Sequence, residues 1–498
     1  MGEGITRRQA LTIGGVGAGV VVIVGAGLAT SGLGGSQDSG ATSTPQPDPT
    51  VARSSSGDAA VAWVEPAVLT SAGGILEIDL DVAESEVVVG GATQRMLTFN
   101  GTVPGPTLHL HPGDRLLVHL HNGLGEATNL HTHGLLVSAS GNSDNPFVHI
   151  EPGESFDYEI VLPDDHPAGV CWYHPHHHGM VADQLFGGLY GAILVDEDDW
   201  TDAAPRVAVV SDVTFSGGAV AEVTNAERRV GRTGDVLLVN GQPRPELRAP
   251  TGSEQRLVIV NACASRYLDL QLAGLYARLL GIDTGHVDEA VTTLFLVPGN
   301  RADVVLTMPD SSASVTTAAY ERAQGGMGGG MMGGASTLSP ETLVLTLTPD
   351  SAAPAPSVLP STTTNPPDLR SATLDGSRTL TMSMGMGGGA GMQFLIDGAE
   401  FDPDRIDQSV ALGAVEEWTI RNVSPMDHPF HLHIWPMQVQ SVGGVATRGM
   451  DVRDVVNVAP NSEVVVRLFF DRFPGKTLYH CHILDHEDLG MMGVIEAS

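Results

Sequence analysis

Pro112-Gly-Asp-Arg-Leu-Leu-Val-His-Leu-His-Asn122 reads as a tight turn, a strand and a closing amide. Pro, Gly and Asp supply the turn, and Leu116, Val118 and Leu120 then alternate with polar neighbours, the period of a strand with one face buried. An Asn100-Gly101 turn precedes this stretch. The same order returns further along. Asn240-Gly241 is followed by Gly252-Ser253-Glu254, a strand and Asn261, and Asp397-Gly398 by Gly413, a strand through Trp418 and Ile420, and Asn422. A repeat of domain length built from strands points to three related β-sandwiches.

The rest of the chain agrees with an all-β class. Short Val/Leu/Ile runs, such as those around Leu116 to Leu120, Leu257 to Val260 and Val464 to Leu468, are separated by Gly, Pro, Asp and Asn. No helical periodicity is sustained. A length of 498 residues suits two to four domains. Composition places a targeting segment at 1–30, a flexible spacer at 31–75, domains at 76–200 and 205–350, a Pro/Ser/Thr-rich linker at 351–368 and a last domain at 369–498.

The targeting segment carries Arg7-Arg8 ahead of an apolar run from Leu11 to Leu28. It is similar to a twin-arginine export signal, so the expected location is outside the cell membrane or on its outer face. Cleavage and retention as a membrane anchor both stay open. The formal charge of -33, with 58 acidic against 25 basic residues, excludes nucleic-acid binding and favours attraction of cations. Three cysteines make no disulfide framework. Cys171 and Cys263 are open to pairing or to burial as free thiols.

Nineteen histidines concentrate in four clusters. They are His131-Thr-His133, Trp172-Tyr173-His174-Pro175-His176-His177-His178, His428-Pro-Phe-His431-Leu-His433, and His480-Cys481-His482 continuing to His486, Glu487 and Met491. A His-x-His pair in a strand sets both imidazoles on one face. Four such pairs can converge on one metal cluster with open positions for oxygen, and imidazole suits copper. Cys481 thiolate, His428 and His486 imidazoles and a weak Met491 thioether form the electron-transfer type of copper site. His480 and His482 flank Cys481 and point away from it, which gives an accepted electron a bonded route to the cluster.

At HPFHLH and HCHILDHEDLGMM the chain resembles the three-domain multicopper oxidases, the group of laccases, bilirubin oxidases and bacterial cuprous oxidases. The resemblance covers all residues after the spacer. It implies three consecutive cupredoxin-like Greek-key sandwiches, with an oxygen-reducing cluster between the first and third. It also implies four copper ions. Type 1 copper falls to His428, Cys481, His486 and Met491, and type 2 copper to His131 and His431. The type 3 pair falls to His133, His174, His176, His433, His480 and His482. Glu487 matches the family's acidic proton donor, and Asp144 is a weaker candidate for a second. His177 and His178 are left over, as hydrogen-bonding neighbours or exposed residues.

Dioxygen is the expected acceptor, and a monomer is expected. The expected donor is cuprous ion or a small phenolic or organic molecule. Two Gly/Met-rich segments favour cuprous ion, because thioethers select soft copper. They hold Met327, Met331 and Met332, and Met382, Met384, Met386 and Met392. Met426, ahead of His428, is a further candidate. A laccase-like phenol oxidase is the alternative, and a copper-sequestering protein without turnover is the alternative of another class.

Overall fold

A computed structural model describes residues 61–196, 204–323, 335–352, 366–387 and 391–498. Among these, six sheets of five to seven strands pair face to face as three sandwiches. Each pair closes on its own apolar core. Leu116, Val118 and Leu120 of strand Arg115–Asn122 meet Leu108 and Ile193 in the first. Leu257 and Ile259 meet Leu270 and Leu345 in the second, and Trp418 and Ile420 meet Phe430 and Ile495 in the third. The alternating strands thus bury the faces that their period assigns to them.

The repeat has a physical basis in two turns per domain. Asn100, Asn240 and Asp397 all sit at φ 52°, each followed by a glycine at φ 73–77°. That left-handed pair is the conformation Asn-Gly and Asp-Gly tolerate. The closing residues Asn122, Asn261 and Asn422 are buried. Each amide donates to two carbonyls across the loop that follows: Glu126 and Ile150, Arg266 and Leu296, Met426 and Val458.

The spacer expected to reach residue 75 ends earlier. Strand Val61–Ala62 runs parallel to Pro245–Pro250, and Val68–Thr70 runs parallel to Thr107–Leu110. Trp63 packs on the second core and Leu69 on the first. These contacts give residues 61–75 enough burial and sheet pairing to be ordered, which composition did not reveal. The boundary at 205 is also crossed. Strands Phe215–Ser216 and Ala219–Val220 extend the first sandwich's sheet beside Ala92–Phe99. A shared apolar layer, including Val170, Trp172, Leu185, Val207, Val258 and Leu484, joins the domains.

Candidate metal centres

One pair of strands in the third sandwich contributes ligands to both centres. His428–Leu432 lies antiparallel to Gly475–Cys481, with Phe430 opposite Cys481 and His431 opposite His480. Alternation along the strand turns Cys481 into the third core and its neighbours His480 and His482 outward, towards the first sandwich. In the first sandwich His131–His133 pairs with Gly169–His174, placing His131 opposite His174.

Cys481 Sγ lies 3.4 Å from His428 Nδ1 and 3.9 Å from His486 Nδ1. The Arg229 carbonyl stands 3.2 Å from His486 Nε2. A carbonyl only accepts, so this contact fixes the proton on Nε2 and leaves the Nδ1 lone pair facing the thiol. Ser424 Oγ does the corresponding work 2.8 Å from His428 Nε2. Met491 is buried in the same core, and its carbonyl accepts from the Cys481 amide. Burial pushes the Cys481 thiol well above its ordinary pKa, so a thiolate there requires a cation beside it.

Six of the other eight imidazoles meet through their Nε2 edges. His133 Nε2 is 3.0 Å from His174 Nε2 and 3.3 Å from His482 Nε2. His480 Nε2 lies 3.1 Å from both His176 Nε2 and His433 Nε2. These make two three-histidine groups, His133/His174/His482 and His176/His433/His480, each compact enough to hold one ion. Beside them, His131 Nε2 and His431 Nε2 are buried without a hydrogen-bond partner among the described residues. Their Nδ1 atoms are engaged, at Asp144 Oδ1 (3.0 Å) and the Asp454 carbonyl (2.7 Å). Two buried lone pairs aimed at one space are costly unless an ion receives them.

Burial is the largest cause lowering the pKa of every one of these imidazoles, and neighbouring imidazoles add to it for most. They are therefore held neutral, the form that ligates a metal. Two carboxyls border the cluster. Glu487 is buried, 2.9 Å from His480 Nδ1 and 3.2 Å from His176 Nε2, and burial pushes its pKa up to about 7. Asp144 accepts from the Thr132 amide and hydroxyl and touches His131, and burial pushes its pKa to about 7 as well.

Known proteins carry the same pattern. A family model described as multicopper oxidase matches residues 81–199, and a second of that description matches 362–498. Multicopper oxidase mco of Staphylococcus aureus is 27% identical over 424 residues, 82% of this chain and 85% of that protein. The solved multicopper oxidase from Campylobacter jejuni, described as a metallo-oxidase, is 29% identical with a TM-score of 0.76. It covers 88% of this chain and 95% of its own. The chain belongs to the multicopper oxidases. It is thus a copper-dependent oxidoreductase with dioxygen as acceptor, and its sandwiches are cupredoxin folds. Cell division protein FtsP of Yersinia pestis is also similar, 29% identical over 412 residues, 79% of this chain and 83% of that protein.

In this multicopper oxidase the second domain holds no metal-ligand cluster among its described residues, yet it braces the others. Arg301 is fully buried and donates to the Val170 carbonyl of the first domain and to Asp454 of the third. Asp283 accepts from the Arg301, Asp454 and Val455 amides. Asp454 in turn presents its carbonyl to His431, and its carboxylate stands 3.7 Å from His133 Nδ1. Arg232 grips Asp485, inside the helix Leu484–Asp488 that carries His486. Gly299, at φ 88°, presses against His482, where a Cβ would come within 2.9 Å of Nε2. Apart from Asp485, inside HCHILDHEDLGMM, none of these residues carries a local motif, so sequence reasoning passed over their roles.

The methionines expected to meet the donor sit among apolar residues. Met426 and Val230 are buried together, with Met384, Met392, Ala323 and Ala335 packed on them. Met382 is buried in the third core. Met386 lies in strand Gly376–Gly387, and Met327, Met331 and Met332 fall outside the described residues, as does the segment 1–30 expected to direct export. Cys171 and Cys263 are free, buried thiols. Among the described residues no helix is long and apolar enough to cross a membrane.

Proposed function

We propose that this multicopper oxidase takes single electrons from cuprous ion and delivers four of them, with four protons, to each dioxygen, yielding two waters. On this reading four coppers are bound. One is at His428, Cys481, His486 and Met491, one at His131 and His431, and a pair at His133, His174, His176, His433, His480 and His482. Copper bound there would supply a one-electron acceptor at the thiolate and an oxygen-binding redox centre at the clustered imidazoles. The observation that carries the reading is Cys481 between His480 and His482, which joins the two ligand sets by a covalent path.

The remaining work falls to the chain. Glu487 and Asp144 touch imidazoles of the cluster and hold protons near neutral pH, so they supply protons to a site closed to bulk water. Cuprous ion is favoured as donor by Met384, Met392 and Met426. Ala323 and Ala335, which pack on this thioether group, bound the stretch 324–334 that contains Met327, Met331 and Met332. Similarity to the Campylobacter jejuni protein, described as a metallo-oxidase, supports a metal ion as donor. Sequestration without turnover, or a part in cell division such as the name of the Yersinia pestis relative states for that protein, needs no thiolate-to-cluster path. The chain is proposed to reach the outside of the membrane through its Arg7-Arg8 segment.

Oxygen uptake by the copper-loaded enzyme, with cuprous ion and with a simple phenol, tests this before and after deletion of residues 325–334. Fast cuprous turnover that falls on deletion, with phenol turnover kept, is expected. Stronger phenol turnover with deletion-indifferent cuprous activity makes it a laccase-like enzyme. No uptake with either donor, at full copper loading, overturns the oxidase reading.

A further inference from the structure

His177 follows the cluster ligand His176 but faces the other way. Its Nε2 lies 2.5 Å from Nδ1 of His149, with ring centroids 4.6 Å apart. His149 is exposed, on the loop before Ile150, and its Nε2 stands 2.8 Å from Glu151 Oε1. A carboxylate only accepts, so Glu151 keeps the His149 proton on Nε2 and leaves the Nδ1 lone pair turned to His177. This carboxylate–histidine arrangement is the one that orients and strengthens a metal-ligating imidazole. As in the buried cluster, where paired Nε2 atoms stand 3.0–3.3 Å apart, two ring nitrogens face each other; at 2.5 Å they are closer, and an ion shared between them would part them towards that range. His178 takes no part, because its ring packs on Phe401.

We propose that His149 and His177, with Glu151 holding the His149 tautomer, form an additional copper-binding site at the surface, one residue along the chain from the buried cluster. Two imidazoles and open water positions suit a copper ion, and the -33 net charge concentrates cations at the surface. A plain hydrogen bond between the two rings would instead leave the pair indifferent to metal. The choice of copper rests on the proposed oxidase function. The geometry of the site does not.

The test is a calorimetric titration of the fully copper-loaded enzyme with cupric ion. Wild type is expected to take a further equivalent that His149→Ala abolishes. Glu151→Gln should weaken it by about 10-fold, as the loss of an orienting carboxylate does. His121→Ala, at an exposed histidine elsewhere on the first domain, should change nothing. Identical titrations for wild type and His149→Ala, or no further equivalent in wild type, overturn the proposal. Core copper content and oxygen uptake, read on the same samples, report separately on the oxidase function. Their failure would leave a His149-dependent equivalent standing.

Discussion

Glu487 shows what one side chain contributes to a buried redox site. Burial lifts its pKa to about 7, against the opposing pull of His176, so the carboxyl is protonated below neutrality and loses that proton as pH rises through about 7. Glu487→Gln keeps the shape and removes the titrating proton. Dioxygen reduction should slow by about 100-fold, the usual contribution of a positioned acid. The decline of wild-type rate above neutral pH should flatten in the variant, and the thiolate-site colour should stay. Oxygen-uptake traces across the range from acid to alkaline pH, with visible spectra, check this, and an unchanged rate removes Glu487 from proton supply. At this scale legibility was uneven. Glu487 stands beside His486 in a dense motif, whereas Asp144 reaches His131 only because its loop folds back on Thr132. Asp454 was invisible, a lone acid whose importance comes from Arg301 and Asp283 in another domain.

Among the elements, the closing asparagines explain why the repeat could be read at all. Each satisfies two carbonyls, all buried in the second and third domains, and so fixes the loop that leaves its strand. In the first and third domains that loop leads into ligands, Asn122 towards His131 and Asn422 through the Met426 carbonyl to His428. In the second domain Asn261 holds a loop that carries no ligand. Asn261→Ala and Asn422→Ala should each cost about 2 kcal/mol by leaving buried carbonyls unpaired. Only Asn422→Ala should also weaken copper retention at Cys481. Thermal unfolding combined with copper content after dialysis separates the two, and equal copper loss in both variants sinks the argument. The early strands at Val61–Ala62 and Val68–Thr70 escaped the sequence for the opposite reason. Each is too short to show a period, and its stability comes from a neighbour far along the chain.

For the whole molecule, the titrating groups of the two centres pull stability in opposite directions. The ten clustered imidazoles have pKa values held below their ordinary 6.5, by burial first. In the unfolded chain they bind protons below about pH 6.5, so their folded neutrality costs stability as pH falls through that value. Glu487 and Asp144 are raised to about 7 and Asp427 to about 6, and burial raises Asp454 against the pull of Arg301. Burial raises Asp488 well above its ordinary value too. These carboxyls contribute stability in acid that is lost as pH rises through their folded values. Between about pH 4.5 and 6.5 both sets act, and the imidazoles are the more numerous, so they set the sign. The copper-free protein is therefore expected to be less stable at about pH 5 than at about pH 7. Bound copper should enlarge the difference, because protons then compete with the metal for the same nitrogens. Urea unfolding of metal-free and copper-loaded enzyme at both pH values measures this. A metal-free protein more stable at the acidic value would mean that the carboxyls outweigh the imidazoles that surround them.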